Sequence, residues 1–158
     1  MNIAIYPGSF DPFTNGHLDI LNRACAVFDK VIVLVAINPA KKGLFTIEER
    51  VGVLREILGG RENVEVDSHE GLTVEYAQKR GAKHIIRGLR AVTDFEYEYQ
   101  LSSANRFANP AIDMVFFMAS VDHSFVSSSV VNELRRNGAD VSALVPPAVI
   151  TAYEKKGI

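Results

Sequence analysis

Two stretches of the chain, residues 31–37 (V-I-V-L-V-A-I) and 114–118 (M-V-F-F-M), are apolar at every position. Strand side chains alternate between two faces, so a run with no polar member needs cover on both sides. A central strand of a parallel sheet between helix layers meets that demand, and both stretches are expected to be such strands. Residues 3–6, 64–66 and 84–86 read as three more. The segments between them have helical period: Leu18, Leu21, Cys25 and Phe28 recur every three to four positions, as do Ile47, Val51, Leu54 and Leu58. Thr46 with Glu49, and Thr93 with Glu96, have capping-box spacing, while Gly81 and Gly138 stand where helices end on glycine. Pro146 and Pro147 break the chain before a last helix over roughly 148–156. The alternation predicts an α/β fold. It is a Rossmann-like, doubly wound, five-stranded parallel sheet with helices on both faces and a short C-terminal helical extension, one domain over 1–158.

Composition narrows the function. The net charge of −2 provides no broad electrostatic footprint for nucleic acid, so an anion site has to be a local concentration of positive groups. The single cysteine, Cys25, forms no intrachain disulfide and reads as a small apolar residue on a helix face. The first residues lack the pattern of a secretory signal, and the longest apolar run falls far below the roughly 20 residues a membrane span needs. A cytoplasmic protein that engages neither membrane nor nucleic acid is expected.

In such sheets ligands bind outside the carboxyl ends of the strands, so the residues after each strand carry most information. After the first comes G-S-F-D-P-F-T-N-G-H, residues 8–17. Gly8 permits close backbone approach, Ser9 offers a hydroxyl, and Gly16 leaves helix-start amides open to an anion that His17 also reaches. The alternative is a tight turn with a capping histidine. Asp11 suits loop shaping better than metal binding. After the second strand come Lys41 and Lys42, and after the fourth Arg87-Gly88-Leu89-Arg90, where two forked donors suit phosphate and Gly88 allows a sharp turn. Ser127, Ser128 and Ser129 open a helix after the fifth strand; one of them serves as N-cap, and three together favour an anion. In the acidic-aromatic run 94–100, Phe95, Tyr97 and Tyr99 are expected to pack a helix against the sheet or a neighbouring subunit.

The string G-S-F-D-P-F-T-N-G-H, with Thr14 and His17 at the ends of its T-x-G-H core, resembles the signature of the nucleotidyltransferase superfamily. The further strings I-R-G-L-R-A-V-T-D-F-E-Y-E and V-S-S-S resemble, at their present spacings, the phosphopantetheine adenylyltransferase family, and the likeness runs through nearly the whole chain. The resemblance implies adenylyl transfer from ATP to 4'-phosphopantetheine with Mg²⁺, a homohexamer and feedback inhibition by coenzyme A. It implies catalytic roles for His17, Lys41, Arg90 and Ser128. ATP would be met by Ser9, Phe10, His17, Gly88, Leu89, Arg90 and Glu98, and by the run His123, Ser124, Phe125, Val126, Ser127, Ser128, Ser129. The acceptor would be met by Ser9, Lys41, Thr73 and Arg87, and no protein metal ligand is assigned. Ser9 stands where many members have threonine, and Asn132 where the wider superfamily has arginine; the second departure speaks against a nicotinamide mononucleotide enzyme. A non-catalytic nucleotide sensor is disfavoured by the second anion site. A dehydrogenase is disfavoured because no G-x-G-x-x-G follows the first strand.

Overall fold

A computed structural model describes residues 1–158, the side chains of Val92 and Thr93 excepted. Its strands are β1 (Ile3–Gly8), β2 (Lys30–Ile37), β3 (Val64–Glu70), β4 (His84–Leu89) and β5 (Asp113–Met118). Its helices are α1 (Asn15–Cys25), α2 (Ile47–Leu58), α3 (Thr73–Lys79), α4 (Val92–Ala108), α5 (Ser128–Arg136) and α6 (Pro147–Lys155), with a short 3₁₀ turn at Val121–His123. All five strands are parallel, in the order β3-β2-β1-β4-β5. The chain winds outward from β1 to β3, returns to lie beside β1 as β4, and continues to β5. The direction of winding therefore reverses between β1 and β4, which opens a crevice at their carboxyl ends.

Alternation along β1 sends Ala4 and Tyr6 to one face and Ile5 to the other. The first face is covered by Leu21 and Ala24 of α1 and Leu54 of α2; the second by Val74 and Ala77 of α3. β2 is the interior strand that its apolar run demands, buried from Val31 through Val35. β5 is not. It lies at the sheet's edge, and Met118 at its end is largely exposed. Its apolar run therefore covers less of its own chain than a central position would. The aromatic run on α4 does not pack onto the sheet: Phe95, Tyr97 and Tyr99 are exposed, with Tyr97 at the edge of the crevice, which leaves the neighbouring subunit of the two expected partners.

The helix signals differ in outcome. Thr46 and Glu49 form the reciprocal capping box at α2. At α4 the N-cap is Ala91, so the expected start at Thr93 is displaced, and the Thr93 side chain lies outside the described residues. Gly81 and Gly138 adopt positive φ at helix ends, as expected. Pro147 is the first residue of α6, a position whose missing N–H costs the helix nothing. Gly88 makes no turn: β4 runs on through Leu89, and the space beside Gly88 is filled by Ile20, 3.4 Å from where a Cβ would stand.

One polar node joins the loop after β1 to the segment before α2. The Asp11 carboxylate accepts the amides of Leu44 (2.8 Å) and Phe45 (2.9 Å). Arg50, nearly buried, lies against Asp11 at 3.4 Å and donates to the carbonyls of Phe45 and Ser9. Gly43 lacks a side chain where the Arg50 guanidinium passes. Asp11 thus shapes the loop, as its place before Pro12 suggested. α6 braces the same loop from behind: the Tyr153 hydroxyl donates to Asn132 Oδ1 (2.6 Å), and Asn132 Nδ2 donates to the Asp11 carbonyl (3.1 Å). Arg50→Met, which leaves Asp11 only its two amides, is expected to lower stability by about 2–3 kcal/mol, read from the urea unfolding midpoint at constant m-value.

Candidate active site

The crevice is a cavity of about 360 Å³ at the carboxyl ends of β1 and β4. Its floor is Tyr6 to Phe10 and Ile20; one wall carries Arg87, Gly88, Arg90, Asp94 and Glu98, and the other His123, Val126, Ser127 and Ser128. Thr14, Gly16 and His17 close the base between them. Most of the candidate residues therefore converge, although they come from the loops after three different strands.

His17 has two structural tasks at once. Thr14, buried, is the N-cap of α1, its hydroxyl receiving the amide of His17 at 3.3 Å, while the Thr14 amide donates back to Nδ1 of His17 at 3.0 Å. Histidine thus fills the place that Glu or Gln holds in an ordinary capping box. Because Nδ1 accepts an N–H, the neutral ring carries its proton on Nε2, the nitrogen away from the cap. Phe10, Phe13 and Tyr6 pack around the ring, Phe13 stacked at 5.5 Å and Phe10 edge-on at 5.1 Å. Burial disfavours the imidazolium, and the nearby Arg90 and Arg87 add repulsion, so the pKa falls from 6.5 to about 4. At neutral pH the group is an uncharged hydrogen-bond donor in a fixed orientation. His17 is thus the capping histidine of the alternative reading, and its ring also lines the cavity.

Phe10 lines the same floor but is 2% exposed at a positive φ of 46°, so its side chain serves chiefly to pack His17. Gly8 is needed for this arrangement, since a Cβ there would stand 2.9 Å from the Phe10 ring. The three serines separate. Ser127 is the N-cap of α5, receiving the Val130 amide at 3.2 Å, and the Ser128 hydroxyl donates to the Pro12 carbonyl at 2.7 Å. Two of the three hydroxyls thus have structural partners, which weakens the argument from their number. What the helix start presents to an anion is the amides of Ser128 and Ser129, which have no intrahelical acceptor.

Arg87 and Glu98 pair inside the cavity, with Nη2 donating to Oε1 at 2.6 Å. Burial works against the Arg87 charge, but the hydrogen-bonded Glu98 carboxylate outweighs it and raises the pKa. Arg90, more exposed, leans on Asp94 at 3.3 Å. Neither pairing was evident from the residues alone, although the four-residue spacing of Asp94 and Glu98 places them on one helix face. Lys41, Thr73, Leu89, Ser124, Phe125 and Ser129 stand outside the cavity lining. Lys41 is exposed on the loop after β2, and Thr73 is the first residue of α3 after β3, both on the same rim of the sheet. Tyr6, Pro7, Ile20, Asp94, Tyr97 and Ala119 line the cavity without having been singled out for it. Among the described residues no group of three or more His, Cys, Asp or Glu side chains is arranged to hold a metal, and no helix is long and apolar enough to cross a membrane.

Residues 5–134 match the Cytidylyltransferase-like family. The chain is also similar to several curated proteins named phosphopantetheine adenylyltransferase. The one from Geotalea daltonii is 50% identical over 156 residues, 99% of this chain and 97% of that protein. The one from Carboxydothermus hydrogenoformans is 51% identical over 156 residues, covering 99% and 96%. That of Leptospira biflexa is 50% identical over 155 residues, covering 98% and 97%.

The cap geometry has a pH consequence. Unfolded His17 titrates near 6.5 and folded His17 near 4, so between these values the unfolded chain binds more protons. The His17 contribution to stability is fully present above about 6.5 and declines as pH falls towards 4. Nitrogen-15 NMR of the histidine rings should show one Nε2–H tautomer that persists down to about pH 4. Titration of the His17 ring itself near 6.5 would refute the assignment.

Proposed function

Since the chain belongs to the phosphopantetheine adenylyltransferase family, within the Cytidylyltransferase-like group, we propose that it transfers the adenylyl group of ATP to 4'-phosphopantetheine in coenzyme A biosynthesis. The products are dephospho-coenzyme A and pyrophosphate. A phosphate oxygen of the acceptor, already anionic at neutral pH, attacks the α-phosphorus of ATP as the bond to the pyrophosphate oxygen breaks. The step is in line and forms no covalent enzyme intermediate, so no proton needs removing and no general base is required. The chain has to bring two polyanions together and stabilise the charge that develops on the α-phosphate and the leaving group.

The single observation that carries this reading is the neutral, capped His17. Its Nε2–H is a preorganised donor for the α-phosphate, poised without the cost of reorienting during the reaction. Arg90, the amides at the start of α5 and the run 123–129 receive ATP on the β4–β5 side. The acceptor's phosphate lies between Lys41, on the loop after β2, and Arg87 of β4, and its arm runs towards β3, where Thr73 lines it; Ser9, after β1, stands between the two substrates. The node of Asp11 with the Leu44 and Phe45 amides supports this placement, because it ties the segment just after Lys41 to the loop that carries Ser9. The carboxylates lining the cavity, Asp94 and Glu98, are both paired with arginine. This donor set suits Mg²⁺ carried by phosphate oxygens and water, where it would neutralise charge on the departing pyrophosphate. The exposed aromatics of α4 and the exposed end of β5 support an interface between copies of this chain; that the assembly is a homohexamer in the cytoplasm, inhibited by coenzyme A, is proposed from the family resemblance.

Pyrophosphate release should be observed with ATP and 4'-phosphopantetheine together, and not when nicotinamide mononucleotide replaces the acceptor or CTP replaces ATP. Release with nicotinamide mononucleotide alone would overturn the reading. His17→Ala should lower kcat by roughly 10²–10³ with the melting transition retained. A variant within a few-fold of wild type would remove His17 from its assigned role.

A further inference from the structure

Arg87 and Glu98 make the shortest ion pair in the cavity, and its geometry is specific. Nε of Arg87 donates to Oε2 of Glu98 at 2.9 Å while Nη2 donates to Oε1 at 2.6 Å, the forked arrangement of a guanidinium on a carboxylate. Glu98 is 6% exposed, and its only cationic neighbour among the described ion pairs is Arg87. Two of the five guanidinium N–H groups are thereby occupied. The remaining ones, both on Nη1 and one on Nη2, have no protein acceptor among the described residues, and Arg87 lines the cavity. One helical turn earlier on α4, Asp94 treats Arg90 similarly, lying 3.3 Å from its Nε and accepting its amide at 3.1 Å. One face of α4 thus presents two carboxylates to two arginines at the end of β4.

A carboxylate standing free beside nucleotide phosphates would repel them. With both oxygens accepting from Arg87, Glu98 adds little net negative charge to the cavity, and its place there has a different use. An arginine side chain unattached at its tip samples many rotamers, and ordering it on binding carries an entropic cost. A bidentate partner meets that cost in advance and sets the plane of the guanidinium. We propose that Glu98 is a positioning residue: its carboxylate clamps Nε and Nη2 of Arg87 and aims the free Nη1 edge at the phosphate of the acceptor. In this arrangement Glu98 acts through Arg87, a role that the resemblance does not assign to it. The identity of that phosphate rests on the function proposed above; the clamp itself does not.

Steady-state kinetics with each substrate varied in turn test the role. Glu98→Gln, nearly isosteric, is expected to raise KM for 4'-phosphopantetheine about tenfold while KM for ATP stays within about twofold, a coupling typical of residues in one ion-pair network. Glu98→Asp should recover part of the loss. In an Arg87→Met background, Glu98→Gln should add less than about twofold, because the group it positions is gone. A rise in KM for ATP, or losses that multiply in the double variant, would overturn the proposal. Should Glu98→Gln not fold, the wild-type protein still decides: the Arg87 Nε–H resonance should exchange slowly and shift on adding 4'-phosphopantetheine but not on adding ATP. The opposite selectivity overturns the clamp. If the wild type releases no pyrophosphate with this acceptor, the proposed function fails. The clamp is then decided by whether inorganic phosphate shifts a protected Arg87 Nε–H resonance.

Discussion

The hydrogen bond from the Thr14 amide to Nδ1 of His17 is the contact on which the site depends. It closes the capping box that starts α1, and α1 in turn covers the core through Leu21 and Ala24. It decides which nitrogen of the ring is protonated, and the surrounding phenyl rings decide that the ring is neutral. A flexible histidine at this position would titrate near neutrality and alternate between tautomers. Here the requirements of helix initiation and those of a fixed donor are satisfied by one pair of residues, which explains how a buried threonine and a half-buried histidine come to share a loop with Phe10 and Phe13.

The rest of the site is an exercise in concentrating positive charge on a chain whose net charge is −2. The sheet does most of it. Parallel strands direct all carboxyl ends to one rim, and the reversal between β1 and β4 leaves the crevice uncovered by any connection. Two arginines close together at the end of β4 would repel each other, and the i, i+4 carboxylates of α4 offset that repulsion and hold each arginine in place. The same helix turns Phe95 and Tyr99 outward while Asp94, Tyr97 and Glu98 line the cavity, so α4 serves the cavity with one face and exposes apolar area on another.

Much of this was legible from residues alone where the cause is local. Thr46 and Glu49 cap α2 because both partners lie within one turn. Gly81 and Gly138 end their helices because positive φ is cheap only for glycine. Signals failed where the cause is distant. The run 114–118 has the composition of a central strand yet forms an edge, because strand order is set by how the crossovers wind and not by the strand's own side chains. Gly88 was open to reading as a turn, whereas its lack of a side chain makes room for Ile20 of α1, a neighbour far away in the chain. The partner of the Ser128 hydroxyl was likewise not legible, because it is the carbonyl of Pro12, 116 positions away.

The sequence by itself determined the class of fold, the rim that carries the cavity and most of the polar residues that line it, because period, glycine placement and the chemical character of loop residues are properties of short segments. Only the tertiary structure decided what state those residues are in. The Nε2–H tautomer of His17, the clamp of Glu98 on Arg87, the node of Asp11 with Arg50, and the stand of Lys41 and Thr73 beside the cavity depend on which segments the sheet brings together. Protonation, hydrogen-bond pairing and aim are set by neighbours within a few ångströms, and folding alone selects those neighbours.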